Sequence, residues 1–165
     1  MKRCAAMLTT AMMLTLVPAR AAEDPRTYET ILSGEGATPA SHLSFFESCG
    51  EECYAASLDC DSEHSISFIF GDVEAKIAAA AITHGKQGFS IAIDGKAYSF
   101  FIMKLEYGGE MYSTWLVTGS LPGSNAEEFS TALGTATSFK ATIGNKSLIL
   151  PVMADVKTWA AACLK

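Results

Sequence analysis

Apolar residues along this chain recur mostly at every second position. Over residues 65–70, Ile66, Phe68 and Phe70 alternate with Ser65, Ser67 and Ile69. Side chains of a strand point to opposite faces in turn, so a period of two predicts a strand with one buried face. Phe89, Ile91 and Ile93 alternate in the same way with Ser90, Ala92 and Asp94. Asp94-Gly95 then turns the chain, because both positions tolerate positive φ. Residues 96–106 run back, rich in Tyr98, Phe100, Phe101 and Ile102. Gly108-Gly109 supplies a second turn, and 111–118, with Trp115 and Val117, make a third strand. The three form a predicted meander over 89–118. Shorter strands are predicted at Phe45-Phe46 and over 54–58. A last hairpin is predicted from 139–143 and 147–150 about Gly144-Asn145.

The period lengthens to that of a helix in three places. Residues 72–84 combine Asp72 as an N-cap with a Val73, Ile77, Ala80, Ala81 stripe, and Gly85 lies where a C-terminal stop belongs. Over 125–136, Ser124 or Asn125 is placed to cap, with Glu127 or Glu128 at capping-box distance. Phe129, Ala132, Leu133 and Ala136 share one face. Over 155–164, Asp155 is the expected cap. Val156, Trp159, Ala160 and Cys163 fall at i, i+3, i+4 and i+7, which turns Cys163 toward the core. The fold class expected is mostly β with packed helices, an α+β domain built on an antiparallel β-sandwich-like sheet. Polar residues 23–42, with Gly34-Glu35-Gly36 and Pro39, read as a loose N-terminal arm with one helical turn near Tyr28 and Leu32. Residues 43–165 read as a single domain.

The first residues do not belong to that pattern. Lys2 and Arg3 precede an apolar run over 4–17, then Pro18 and the small-residue site Ala19-Arg20-Ala21. This is the layout of a secretory signal peptide spanning 1–21, cleaved after residue 21 or 22. It places the mature chain in the periplasm or outside the cell. The run is too short and interrupted for a stable membrane span. An oxidising compartment changes how the cysteines read. Cys49, Cys53, Cys60 and Cys163 survive cleavage, and an even count predicts two disulfides. Three pairings are open. In each, Cys163 ties the C-terminus to the 49–60 segment, closing a loop worth nominally ~4–5 kcal/mol.

Residues 1–21 hold three of the 12 basic residues and none of the 18 acids, so the mature chain carries a net charge of −9. Phosphate binding needs a basic patch, so nucleic acid and anionic membranes are disfavoured as partners; the acidic balance fits simple solubility first and a basic protein partner second.

Cys49-Gly-Glu-Glu-Cys53 is the sharpest local motif. With Cys60 and His64 it places four soft or borderline ligands within 16 residues, the basis of an alternative reading as a metal-binding or thiol-redox protein. The spacing is not the C-x2-C of common zinc and redox motifs, and Glu51-Glu52 would raise rather than lower a thiol pKa. Structural disulfides are the preferred reading, with no metal or cofactor. His42, in the arm, and His84, at a helix end, read as structural. Asp59, Asp61, Asp72 and many serines offer parts for a Ser-His-Asp site, but no G-x-S-x-G elbow marks a nucleophile, so no catalytic residue is assigned. Glu47, Glu51, Glu52, Asp59, Asp61 and Glu63 lack EF-hand spacing and read as a solvated face. Tyr107, Tyr112 and Trp115 flank Gly108-Gly109. Trp115 reads as core, whereas Glu51, Glu52, Tyr107 and Tyr112 are the candidate partner surface.

From Ile91 onward the chain resembles the secreted invasion-associated locus B family of bacterial proteins. The matching features run in order: a strand ending in Ile93-Asp94-Gly95, a helix with Phe129 and Ala132-Leu133, a strand-turn-strand ending in Leu150-Pro151-Val152, and a short terminal segment. The family's cysteine pair before the penultimate helix is missing from 111–119, as is its early tryptophan-containing strand. The resemblance implies an exported bacterial β-sandwich linked with host interaction and without known catalysis, and it transfers no site residues. The expected function is an exported, non-catalytic binding, accessory or inhibitory protein acting on another protein.

Overall fold

The computed structural model describes residues 28–34, 41–48, 52–83, 88–108 and 114–164. Nine strands form one antiparallel sheet: β1 (Tyr28–Ser33), β2 (His42–Ser48), β3 (Glu52–Cys60), β4 (Ile66–Val73), β5 (Gly88–Ile93), β6 (Lys96–Tyr107), β7 (Trp115–Leu121), β8 (Phe139–Ile143) and β9 (Lys146–Leu150). Three helices join them: α1 (Ala75–Thr83), α2 (Ala126–Thr135) and α3 (Ala154–Cys163). The strand order is β1-β2-β3-β4-β7-β6-β5-β8-β9. The expected meander is therefore present as three adjacent strands, and β7 carries the sheet onward to β4.

Burial follows the alternation. Phe68 and Phe70 of β4, Ile91 and Ile93 of β5, Phe100 of β6, Val117 of β7 and Phe139 of β8 all lie in one core. Phe68 is its hub, with ring centroids of Phe70, Phe89, Phe100 and Phe139 at 4.9–6.4 Å. Phe45 of β2 also meets Phe139, at 6.0 Å, although their strands are far apart in the sheet order. The sheet must therefore curl until its two halves face each other. This is the native twist of strands carried round until apolar faces meet. α2 and α3 complete the core with Phe129, Leu133, Val156, Trp159 and Ala160, all fully or nearly fully buried. The Trp159 indole N–H donates to the Ser41 carbonyl at 2.9 Å, which pins α3 to the start of β2.

Several local expectations need correction. Tyr28 to Leu32 is strand, not a helical turn. β1 pairs with β2 along its whole length, so part of the expected loose arm is a sheet edge. Thr30 Oγ1 donates to Asp155 at 2.6 Å and ties that edge to α3. Asp72 does not cap α1. It lies inside β4 at φ 50°, within a bulge against β7 between Phe70 and Val73. The Glu74 carbonyl instead accepts the first helical bonds, from Ile77 and Ala78 N–H. Ala78 rather than Ala80 is buried on that helix. Asn125 holds the cap position of α2 without a side-chain bond to the helix N–H groups, and Asp155 sits inside the first turn of α3, behind Met153.

Asp94-Gly95 turns the chain as expected, at φ 47° and 86°. The Asp94 carboxylate also accepts from Thr137 N–H (3.0 Å) and Oγ1 (2.7 Å) and from Ser138 N–H (2.7 Å). Those bonds, led by the Thr137 hydroxyl, hold its pKa below the usual carboxylate value. The turn thus also fixes the link from α2 to β8. Among the described residues no helix is long and apolar enough to cross a membrane.

Candidate functional site

β3 runs between two unlike ends. At its C-terminal end Cys60 is bonded to Cys163 of α3, with Cα atoms 5.8 Å apart and 103 residues between them in sequence. The helical spacing that turned Cys163 inward is what brings the sulfurs together. Beside them the His64 ring N–H donates to the Cys163 carbonyl at 2.8 Å, with His64 at φ 60°. Asp61 Oδ1 accepts from Glu63 and Ser65 N–H at 2.9 and 2.8 Å and closes the β3–β4 turn.

At the other end lies a cavity of about 380 Å³, where β3 begins, β2, β4 and β6 end, and β7 and β9 start. Tyr54, Ala55, Leu116 and Leu148 give it apolar wall, and Glu47, Asp72 and Lys146 give it charge. The size lies within the range of small-molecule pockets, roughly 300–1,000 Å³. The β4 bulge builds one side. It carries Asp72 in the left-handed region, a conformation a non-glycine residue holds only at an energetic cost. The Lys146 ammonium donates to the carbonyls of Gly71 (3.2 Å) and Asp72, with the Asp72 carboxylate at 3.5 Å. Lys146 therefore secures the bulge and pairs with the Asp72 carboxylate, while Glu47 accepts from the Tyr28 hydroxyl at 3.4 Å. Gly71 is required there, because a Cβ would stand 2.5 Å from the Tyr54 carbonyl oxygen. Burial pushes the Tyr54 phenol up to about 12, opposed by its hydrogen bond to Ser57 Oγ at 2.7 Å. At neutral pH it is an uncharged donor fixed in the wall.

A second polar group lies outside the cavity. His42, expected in the arm, stands in β2 opposite Asp59 of β3. A carboxylate can only accept, so His42 Nδ1–H donates to Asp59. Nε2, on the other side of the ring, is hydrogen-bonded to the Ser44 hydroxyl at 2.8 Å. The connectivity is that of a Ser-His-Asp relay, but the surroundings do not suit catalysis. Ser44 is buried, and β2 is paired on both edges, so its N–H groups are committed to the ladders rather than free to stabilise an oxyanion.

The alternative metal set, Cys49, Cys53, Cys60 and His64, does not assemble. Cys60 is bonded to Cys163 and Cys53 is also disulfide-bonded, so neither offers a thiolate. Cys49 lies outside the described residues. Among the described residues no three His, Cys, Asp or Glu side chains are grouped to share a metal ion. The acidic cluster is likewise divided, with Glu47 at the cavity and Asp59, Asp61 and Glu63 toward the disulfide. Of the candidate partner surface, Tyr107 is 51% exposed and sets its ring against Trp115 at 5.7 Å. Glu51 and Tyr112 lie outside the described residues, as does the side chain of Glu52. Sequence reasoning missed Tyr54, Asp72 and Lys146 as neighbours, because only the curl of the sheet brings their strand ends together.

Comparison with protein-family models, with curated proteins and with solved structures finds no match to this chain.

Proposed function

We propose that this is an exported, non-catalytic binding protein of a bacterial envelope or its surroundings, and that it holds a basic, partly apolar segment of another protein in the cavity at the open end of the sheet. The carrying observation is the combination of apolar wall and acidic rim: Tyr54, Leu116 and Leu148 beside Glu47 and Asp72, with one lysine already engaged. The net charge of −9 on the mature chain would draw such a partner in. The signal-peptide layout of residues 1–21 and the Cys60–Cys163 bond support export. In this reading the fold is a β-sandwich, β1–β4 facing β5, β8 and β9 across the Phe45–Phe139 contact. The resemblance to the invasion-associated locus B family adds host contact as the setting.

Two measurements test it. Protein recovered from the periplasm or medium should begin at Ala22 or Glu23 when its N-terminus is sequenced. An NMR titration with a short arginine–leucine peptide should shift the amides of Ala55, Leu116 and Leu148. A glutamate–leucine peptide of equal length should not. The shifts should vanish in a Glu47→Gln, Asp72→Asn double variant; asparagine accepts the left-handed backbone at position 72. Equal responses to both peptides, or none to either, would refute the cavity as the contact site.

A further inference from the structure

The β4 bulge and the start of β9 gather three oxygens about one lysine. The β4–β7 register breaks between Phe70 and Val73, and β3 pairs with β4 only as far as Phe70. Gly71 and Asp72 therefore have no ladder partner among the described residues. Their carbonyls accept from the Lys146 ammonium, at 3.2 Å for Gly71, and the Asp72 carboxylate lies 3.5 Å from it. An ammonium carries three protons on a compact head, so three converging oxygens suit it. The flat fork of a guanidinium suits the edge of a carboxylate instead. The two charged partners differ in access. The Lys146 side chain is 19% exposed, whereas that of Asp72 is 72% exposed. Both line the cavity, so the oxygens that Lys146 holds are reached from the space that admits a ligand.

Resting on the cavity as the site for a basic segment, we propose that its ligand presents a primary ammonium, a lysine side chain or a chain N-terminus, and that Lys146 is an autoinhibitory occupant of the ammonium position. Lys146 follows directly on the Gly144-Asn145 turn as the first residue of β9. Its four-carbon stem is flexible, so rotating it out releases the three oxygens without moving the sheet. A side chain tethered this closely competes at an effective concentration on the order of millimolar. An incoming ammonium must displace it, and wild-type affinity is lowered by that competition. The exposed Asp72 carboxylate stays hydrated during the exchange, so no bare charge is left buried. The sign of the effect separates an occupant from a brace. Removing a brace weakens binding together with the wall it supports, whereas removing a competitor strengthens it.

Lys146→Met keeps an apolar stem and removes the ammonium. An NMR titration with a lysine–leucine peptide should find it binding on the order of tenfold more tightly than the wild type. An arginine–leucine peptide should gain less. Adding Asp72→Asn to Lys146→Met should cancel the gain. Lys140→Met makes the same charge change on the exposed side of β8, away from the cavity lining, and should bind as the wild type does. A reading on the unaltered protein covers the case in which Lys146→Met does not fold. The Lys146 amine should react with acetic anhydride more slowly than the exposed Lys140, and that protection should fall when the lysine–leucine peptide saturates the protein. Wild-type binding that is equal or weaker in Lys146→Met, an equal gain in Lys140→Met, or Lys146 protection unchanged at saturation would overturn the competition and leave the cavity reading standing. Binding by neither the wild type nor any variant would overturn both.

Discussion

Replacing Cys60 and Cys163 together by alanine isolates the covalent contribution to this fold. The bond spans 103 residues. In the chain-entropy treatment a cross-link over that length restricts the unfolded chain by about 4.7 kcal/mol. Both residues are buried in the core cluster, so losing the two sulfurs should cost about 1 kcal/mol more in packing. The combined loss is a large share of the roughly 5–15 kcal/mol that stabilises a domain. It corresponds to a fall in melting temperature of about 15 °C. The assay is urea unfolding followed by tryptophan fluorescence, since Trp159 is fully buried and Trp115 is packed against the core. No reductant is added, so the disulfide at Cys53 is the same in both proteins. The midpoint should drop sharply, and the denaturant slope should rise because the freed chain expands further on unfolding. A loss under ~1 kcal/mol with an unchanged slope would show that the long loop is not a restraint on the unfolded state.

Three other outcomes are expected. The Tyr54 phenol ionises at about 12 in the folded protein against 10.0 unfolded, so the stability it contributes is complete below pH 10 and is lost as pH rises toward 12. Phenolate absorbance should show one late-titrating tyrosine that Tyr54→Phe removes; an unchanged titration curve would contradict its burial. Gly71→Ala should destabilise by about 2 kcal/mol or more in thermal unfolding, because its Cβ would meet the backbone of Tyr54 at 2.5 Å, and it should distort the cavity wall. Ser130 is buried in α2 and its hydroxyl has no hydrogen-bond partner among the described residues. Ser130→Ala should therefore be neutral or stabilising by up to about 1 kcal/mol, and a marked loss of stability would reveal an unrecognised partner.

The local signals that proved legible are those whose cause is local. Alternation in 65–70 and 89–93 marks strands because every second side chain must leave water, whatever the sheet order. Asp94-Gly95 is a turn because of its own backbone freedom. The Val156, Trp159, Ala160, Cys163 spacing put a cysteine on the buried face of α3 without reference to any other strand. Where the partner is distant, local reading failed. Tyr28 and Leu32 stand four apart, as on a helix face, yet β2 draws the segment into an edge strand. Asp72 resembles a cap, but pairing of β4 with β7 holds it in a bulge that Lys146 secures from β9.

The sequence by itself thus marked strands at the places of β2 to β9, the three helices, the inward face of Cys163 and an acidic chain. Tertiary structure alone decided that β7 lies beside β4, that Cys60 is the partner of Cys163, that His42 bridges Asp59 and Ser44, and that six strand ends line a cavity. Periodicity reports which face of an element is buried. It carries no information on which other element covers that face, because that choice follows from the twist and closure of the whole sheet.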